Sequence, residues 1–185
     1  NFCTVDLSAF YFDIRKDALY CDSKDSDRRK SCIIVLNILL ESLSKWFAPI
    51  LSFTTEEIFK LINKDEKSIH LEKFMKFPKF FENDQLNKKW IELKKIRDVC
   101  NVSIETKRAS KEIGSSLEAN LVISLNKNLK ELTKDIDMSE LCITSAVEII
   151  ESTNNDTTVQ TKKAVGEKCV VCWKIIKNGC LRHKN

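Results

Sequence analysis

Glycine is scarce in this 185-residue chain, with three in all, at positions 114, 166 and 179. No Gly-rich phosphate cradle can be built from them, which removes the nucleotide loops whose backbone must approach a phosphate closely. Long apolar runs are missing too. The greasiest stretch, CIIVLNILL at 32–40, is interrupted by Asn37 and followed by the polar ESLSK, whereas a bilayer-spanning helix takes about 20 apolar residues. No membrane span is expected. The opening NFCTVDLSAFYFDIRKDALY has neither the basic start, apolar centre and small-residue cleavage site of a secretory leader nor an initiating methionine, so the chain reads as an internal piece of a longer polypeptide. Histidine occurs only as His70 and His183, and no convincing nucleophile–base arrangement can be assembled. Binding is the better expectation than catalysis.

What is present describes a folding chain. Hydrophobic residues make up 43% and charged residues 31%, ordinary for a globular protein and too apolar for a disordered one. The length allows one main domain and an appendage. Of eight cysteines, Cys3, Cys21, Cys32, Cys100 and Cys142 stand singly in apolar or helical contexts, as buried thiols do in reducing compartments, and a cytoplasmic protein is expected. The net charge of +4 is uneven. Lys162, Lys163, Lys168, Lys174, Lys177, Arg182 and Lys184 face Glu167 alone over 162–185, leaving the remainder slightly acidic. A local basic patch is the footprint of a polyanion reader, or simply a solvated tail.

Periodicity predicts a mainly α protein. Val5, Leu7, Phe10, Tyr11, Ile14, Ala18 and Leu19 fall at helical intervals over 5–20, and a second long helix runs from about Ser26 to Phe47, closed by Pro49. In FTTEEI (53–58), Thr54 is placed to cap a new helix with Glu57 reaching back and Phe53 and Ile58 as a staple. Trp90, Leu93, Ile96, Cys100 and Ile104 form another stripe, ending before Gly114. Trp46 and Trp90 are expected in the core, and His70 in a packing or hydrogen-bonding role. Beyond Gly114 the spacing changes: Ala119, Leu121, Ile123 and Leu125 alternate, a short helix is read over 128–136, LCITSAVEII (141–150) is a second strand, and a short strand lies near Val159. The expected architecture is a helical domain over 1–114, a small α+β unit over 115–161 and a zinc-binding tail over 162–185.

The tail carries the chemistry. In KCVVCWKIIKNGCLRH, Cys169 and Cys172 form a C-x2-C knuckle and Cys180 with His183 a C-x2-H pair. Three thiolates and an imidazole complete the tetrahedral shell zinc favours, and four protein ligands make a structural rather than an open catalytic site. The competing readings are a redox dithiol, which lacks its usual strand–helix context, and a fortuitous cluster. A segment with so few large apolar groups would take much of its folding free energy from the metal. Trp173 is either a lid packed over the knuckle or an exposed platform for an unpaired base, flanked by Lys174 and Arg182.

Read in order, NFCTVDLSAFYFDIRKDALYCD, FAPILSFTTEEIF, SIHLEKF, WIELKKIRDVCNVSIETKRASKEIGSSLEANLVI and GEKCVVCW resemble the C-terminal part of bacterial isoleucyl-tRNA synthetases along nearly the whole chain. FAPILSFTTEEIF would also fit valyl and leucyl relatives, whereas IGSSLEA with a terminal GEKCxxCW points to the isoleucine enzymes. The resemblance implies a helical-bundle anticodon-binding domain, a small mixed domain and a zinc-bearing end that contacts the anticodon region of tRNA(Ile). It matches Cys169 and Cys172 to the first two zinc ligands and Trp173 to an aromatic residue of anticodon recognition. CLRH departs from the family's second C-x2-C, so the fourth ligand is His183 or a residue beyond Asn185. The resemblance also implies that ATP-dependent aminoacylation and editing belong to catalytic and editing domains whose HIGH and KMSKS signatures are not among these residues. Lys174 and Arg182, and more weakly Arg15, Lys16, Lys107, Arg108 and Lys111, are the candidate RNA contacts. A protein-interaction module merely braced by zinc is the alternative of a different class.

Overall fold

The computed structural model describes residues 1–63, 67–154 and 156–183. They divide into two units, one made of Asn1–Cys21 with Asn83–Asn185 and the other of Asp22–Glu82.

The first unit is built on one long helix, α4 (Asp84–Ala109), whose N-terminal amide of Leu86 donates to the Asn83 side chain at 2.9 Å. Leu93, Ile96, Cys100 and Ile104 are its buried residues. Each such apolar side chain removed from water contributes about 1.5–3 kcal/mol, so this face decides where the helix lies. Trp90 packs at the margin of the same cluster, edge-on to Phe10 at 6.1 Å. The Phe10 ring in turn has Lys94 Nζ 4.7 Å from its centroid. The hydrogen bond with Cys142, followed by burial, pushes the Cys100 thiol up. It stays neutral and behaves as a small core hydrophobe.

Against this core lies a three-stranded sheet in the order β2–β1–β3, with β1 Ala119–Leu125, β2 Ala146–Glu151 and β3 Thr158–Lys163. β1 pairs parallel with β2 and antiparallel with β3. Ala119, Leu121, Ile123 and Leu125 are buried while the residues between them are half-exposed, the period of two expected of a strand with one covered face. A parallel pair needs a crossover, supplied here by α5 (Lys127–Thr133) and α6 (Met138–Leu141). Polar ties add register: Ser103 on α4 meets Thr161 on β3 at 2.7 Å, and Arg97 Nε donates to the Leu141 carbonyl at 2.9 Å.

At the N-terminal end of this unit, Phe2–Phe12 wind as a π-helix before tightening into α1 (Asp13–Cys21). The amphipathic stretch expected over 5–20 is therefore helical in two different pitches, and nothing in its residue pattern explains the wider one. Leu7, Ile14 and Ala18 are the buried positions.

The second unit holds α2 (Asp27–Phe47), capped by the Ser26 side chain, and α3 (Ser52–Ile62). The Asp22 carboxylate accepts from Arg28 Nε and Nη2 at 2.7 and 2.9 Å ahead of α2. The expected Thr54 cap is corrected: α3 begins at Ser52, has no side-chain cap, and Phe53 is exposed. Instead, Thr55 Oγ1 returns a bond to the Leu51 carbonyl at 2.9 Å. Glu56 accepts from the Ser68 hydroxyl and the Ile69 amide, and these bonds, with that to Lys60, hold its carboxyl below the usual value against desolvation. Trp46 is 44% exposed rather than core, because it stands on the face of α2 opposite the buried Ser44 and Ala48. His70 is exposed, and so are Cys3 and, in part, Cys21, whereas Cys32, Cys100 and Cys142 are buried as expected. No helix among the described residues is long and apolar enough to cross a membrane.

Asp137 caps α6, accepting from the Ser139 and Glu140 amides at 2.9 and 3.1 Å. Burial works against its charge, but the Ser139 hydroxyl, these amides and Lys174 outweigh it and hold the carboxyl below its ordinary value. A depressed carboxyl stabilises the fold above its unfolded pKa, and that contribution disappears as pH falls through the folded one. Asp137→Ala should cost about 1 kcal/mol near neutrality. In urea unfolding the gap between the two proteins should narrow as the pH is lowered below about 4.

Candidate metal centre and nucleic-acid interface

The tail is a two-stranded hairpin closed by a tight turn. β4 (Glu167–Lys168) pairs antiparallel with β5 (Ile175–Ile176), and between them the Cys169 amide donates to the Lys174 carbonyl at 2.9 Å and the Trp173 amide to the Cys169 carbonyl at 3.0 Å. Two features let so short a loop close. Trp173 takes a left-handed φ of 63°, uncommon for a bulky side chain, and Gly166 has φ 142° with its α-carbon so near β5 that an added Cβ would lie 2.5 Å from the Ile176 carbonyl carbon. A second turn through Gly179, φ 77°, brings Cys180 and His183 back to the knuckle.

The ligand atoms of Cys169, Cys172, Cys180 and His183 all lie within 4.8 Å of one another. His183 Nδ1 is 3.4 Å from Cys169 Sγ and 3.3 Å from Cys180 Sγ, and Cys172 Sγ is 3.9 Å from Cys180 Sγ. A tetrahedral ion with bonds of about 2.0–2.3 Å places one nitrogen and three sulfur ligands roughly 3.5–3.8 Å apart, so the donor set fits a divalent ion such as zinc in its chemistry, and the three distances just given lie near that spacing while the whole set stays within 4.8 Å. The two knuckle thiols differ. Burial opposes ionisation of Cys169, but the Cys172 and Val171 amides and the His183 ring outweigh it and bring the thiol down to about 6. Burial, followed by the neighbouring Cys169 and Cys180 sulfurs, pushes Cys172 up to about 11 against the Lys174 amide. Without a cation, crowded sulfurs resist carrying charge together.

Several polar contacts seat this tail on the rest of its unit. Arg182 forms a bidentate pair with Asp17, both bonds 2.7 Å. His183 Nε2 lies 2.7 Å from the Cys21 carbonyl. Lys174 Nζ donates to Ser139 Oγ at 3.0 Å, and the Ile175 amide donates to Ser145 Oγ at 2.6 Å. Between α1 and the knuckle a cavity of about 330 Å3 opens, with Ile14, Tyr20, Leu117, Ile143, Val171 and Trp173 among its walls. The Trp173 indole is 60% exposed, so it is not a buried lid, and Lys168 Nζ sits 5.4 Å from its ring centroid.

The remaining RNA-contact candidates are spread more widely. Arg15 is paired with Glu140 at 2.7 Å and Lys16 with Asp13 at 2.9 Å, both on α1 near the knuckle. Lys107, Arg108 and Lys111 lie at the C-terminal end of α4, where Lys107 meets Glu112 and Arg108 meets Glu105 and Lys111 is exposed. Asp17, Cys21, Ser139 and Ser145, which anchor the tail, gave no signal in the sequence. Each sits in an unremarkable local pattern, and only the fold brings it to the knuckle.

A comparison with known proteins matches the family described as the anticodon-binding domain of tRNA ligase to residues 1–123, and the chain belongs to that family. The Cys/His cluster lies outside the matched span. Isoleucine–tRNA ligase of Pelagibacter ubique (strain HTCC1062) is 70% identical over the whole chain. The isoleucine–tRNA ligases of Bartonella henselae and Agrobacterium fabrum (strain C58) are 38% and 39% identical over 94% and 95% of it. The matched stretch is the C-terminal, anticodon-binding region of these ligases, and the chain spans about a fifth of their length (20%, 19% and 19%).

Gly166→Ala should loosen the hairpin, since both the left-handed φ and the 2.5 Å contact with backbone would strain it by about 1–3 kcal/mol. Hydrogen exchange should speed up at the Cys169 and Ile175 amides while β1–β3 stay protected.

Proposed function

We propose that this chain is the tRNA-reading part of an isoleucine–tRNA ligase: it recognises the anticodon region of tRNA(Ile) in the cytoplasm and positions that tRNA for ATP-dependent aminoacylation by a catalytic domain elsewhere in the full polypeptide, which also carries the editing domain. Within it the functional division falls at about residues 114 and 161, between a helical part, a mixed α+β part and a zinc-bearing tail. Cys169, Cys172, Cys180 and His183 hold a structural Zn2+. The ion supplies no chemistry to the reaction beyond cross-linking a tail too small to fold on its own.

The observation that carries this reading is the indole of Trp173, 60% exposed, fixed in a left-handed turn directly after the knuckle. A base stacked on it gains affinity without sequence-specific hydrogen bonds. Lys168 sits beside the ring, Lys174 follows Trp173 directly in the hairpin, and Arg182, Arg15 and Lys16 add positive charge where the tail meets α1. Arg15, Lys174 and Arg182 already bond to Glu140, Ser139 and Asp17, so they approach phosphate as oriented groups and share their remaining N–H donors. Lys107, Arg108 and Lys111 form a second, more distant set of phosphate contacts.

Filter-binding titration of tRNA(Ile) with the full chain tests this. Trp173→Ala should weaken binding by about 1–3 kcal/mol, or roughly 5- to 150-fold. The affinity of the parent should fall steeply between 50 and 200 mM salt, as counterion release requires. Unchanged binding in the variant, or indifference to salt, would remove Trp173 or the cationic set from the interface.

A further inference from the structure

The two nitrogens of His183 face different partners, and their geometry assigns them different jobs. Nε2 lies 2.7 Å from the Cys21 carbonyl oxygen. A carbonyl can only accept, so Nε2 must carry the hydrogen. The 3.3 Å approach of Arg182 Nε to the same nitrogen then cannot be a bond to a ring lone pair, because in this tautomer the lone pair is on Nδ1. That nitrogen is the one turned toward Cys169 and Cys180, at 3.4 and 3.3 Å.

We infer that His183 binds the metal through Nδ1 while Nε2–H is anchored on the last carbonyl of α1, with Asp17, acting through Arg182, as a positioning residue for the site. Resting on the zinc reading above, this makes α1 part of the metal centre although it lies over 160 positions away in the chain. A histidine ligand is oriented by what its second nitrogen donates to, commonly a backbone carbonyl, and that partner also raises the basicity of the ligating nitrogen. Cys21 and Asp17 stand one turn apart on α1 and so share a face, which receives the consecutive residues His183 and Arg182. The Asp17–Arg182 pair is bidentate and only 22% and 33% exposed in its side chains, so it fixes direction as well as proximity. A flexible two-residue spacer from Cys180 would otherwise leave the imidazole free to turn either nitrogen inward. Loading of the ion and seating of the tail on α1 thus become one equilibrium.

The test uses the full chain loaded with zinc and labelled with 15N at histidine. Zinc per chain is measured first. Long-range proton–nitrogen correlation should then show His183 with a metal-bound Nδ1 and a slowly exchanging Nε2 proton. Asp17→Asn, which keeps the shape but not the charge, should weaken zinc binding about 10- to 100-fold in competition with a chromophoric chelator and speed exchange of that proton. One zinc bound through Nε2, or an Asp17→Asn affinity within twofold of the parent, would overturn the inference and leave the zinc reading standing. No stoichiometric zinc in the parent chain would overturn both. The nitrogen assignment is made on the unmodified protein, so it stands as a test even if the variant fails to fold.

Discussion

Between residues 164 and 183 only Ala164 and Cys172 are buried, and a segment that removes so little apolar surface from water cannot hold its own shape against chain entropy. Everything the tail presents to a partner depends on how that deficit is met. Part of it is met by hydrogen bonds to the body of its unit: Arg182 on Asp17, His183 on Cys21, Lys174 on Ser139 and Ile175 on Ser145. Beside them stand four convergent donors, Cys169, Cys172, Cys180 and His183, that could hold a metal ion. Polar anchors of this kind are directional, so they set the angle of the knuckle as well as its position. The exposed indole inherits that angle.

The anchors are useful because the surface behind them is rigid. α4 packs a stripe of four buried residues against a sheet whose middle strand buries every second side chain, and Asp137 and Ser145 lie in the segments that lead back from the crossover into β2. Ser145 shows the economy of the arrangement. Its hydroxyl donates to the Leu117 carbonyl at 2.5 Å while accepting the Ile175 amide, so one side chain joins the entry to β1, the entry to β2 and the hairpin. Glu140 does something similar from the neighbouring helix by pairing with Arg15. Arg15, Lys174 and Arg182 are therefore held by partners instead of ranging freely.

Much of this was legible from residue pattern. The α4 stripe, the alternation of β1, the crossover helix, the return strand near Val159 and the Cys/His spacing all follow from periods of 3.6 and 2 and from the chemistry of thiolates, which are local properties. Where local reasoning failed, the reason was also physical. Thr54 has the right neighbours for a cap, yet α3 starts two residues earlier. There Thr55 satisfies the Leu51 carbonyl and Glu56 is drawn to Ser68 and Ile69, residues a dozen positions away. Trp46 stands on the face of α2 opposite the one that its unit covers, where Ser44 and Ala48 are buried.

By itself, then, the sequence determined which segments could be helix or strand, that the last twenty residues cannot form a core, and that four soft donors lie close enough in the chain to share an ion. It also bore the family likeness, because likeness is a matter of residue order. Only the tertiary structure decided which nitrogen of His183 faces the sulfurs, that Trp173 stands open to solvent, and that Asp17 and Cys21 reach across the chain to steady the tail. Those outcomes depend on distances between residues with no fixed separation in sequence, and such distances exist only once the core has packed.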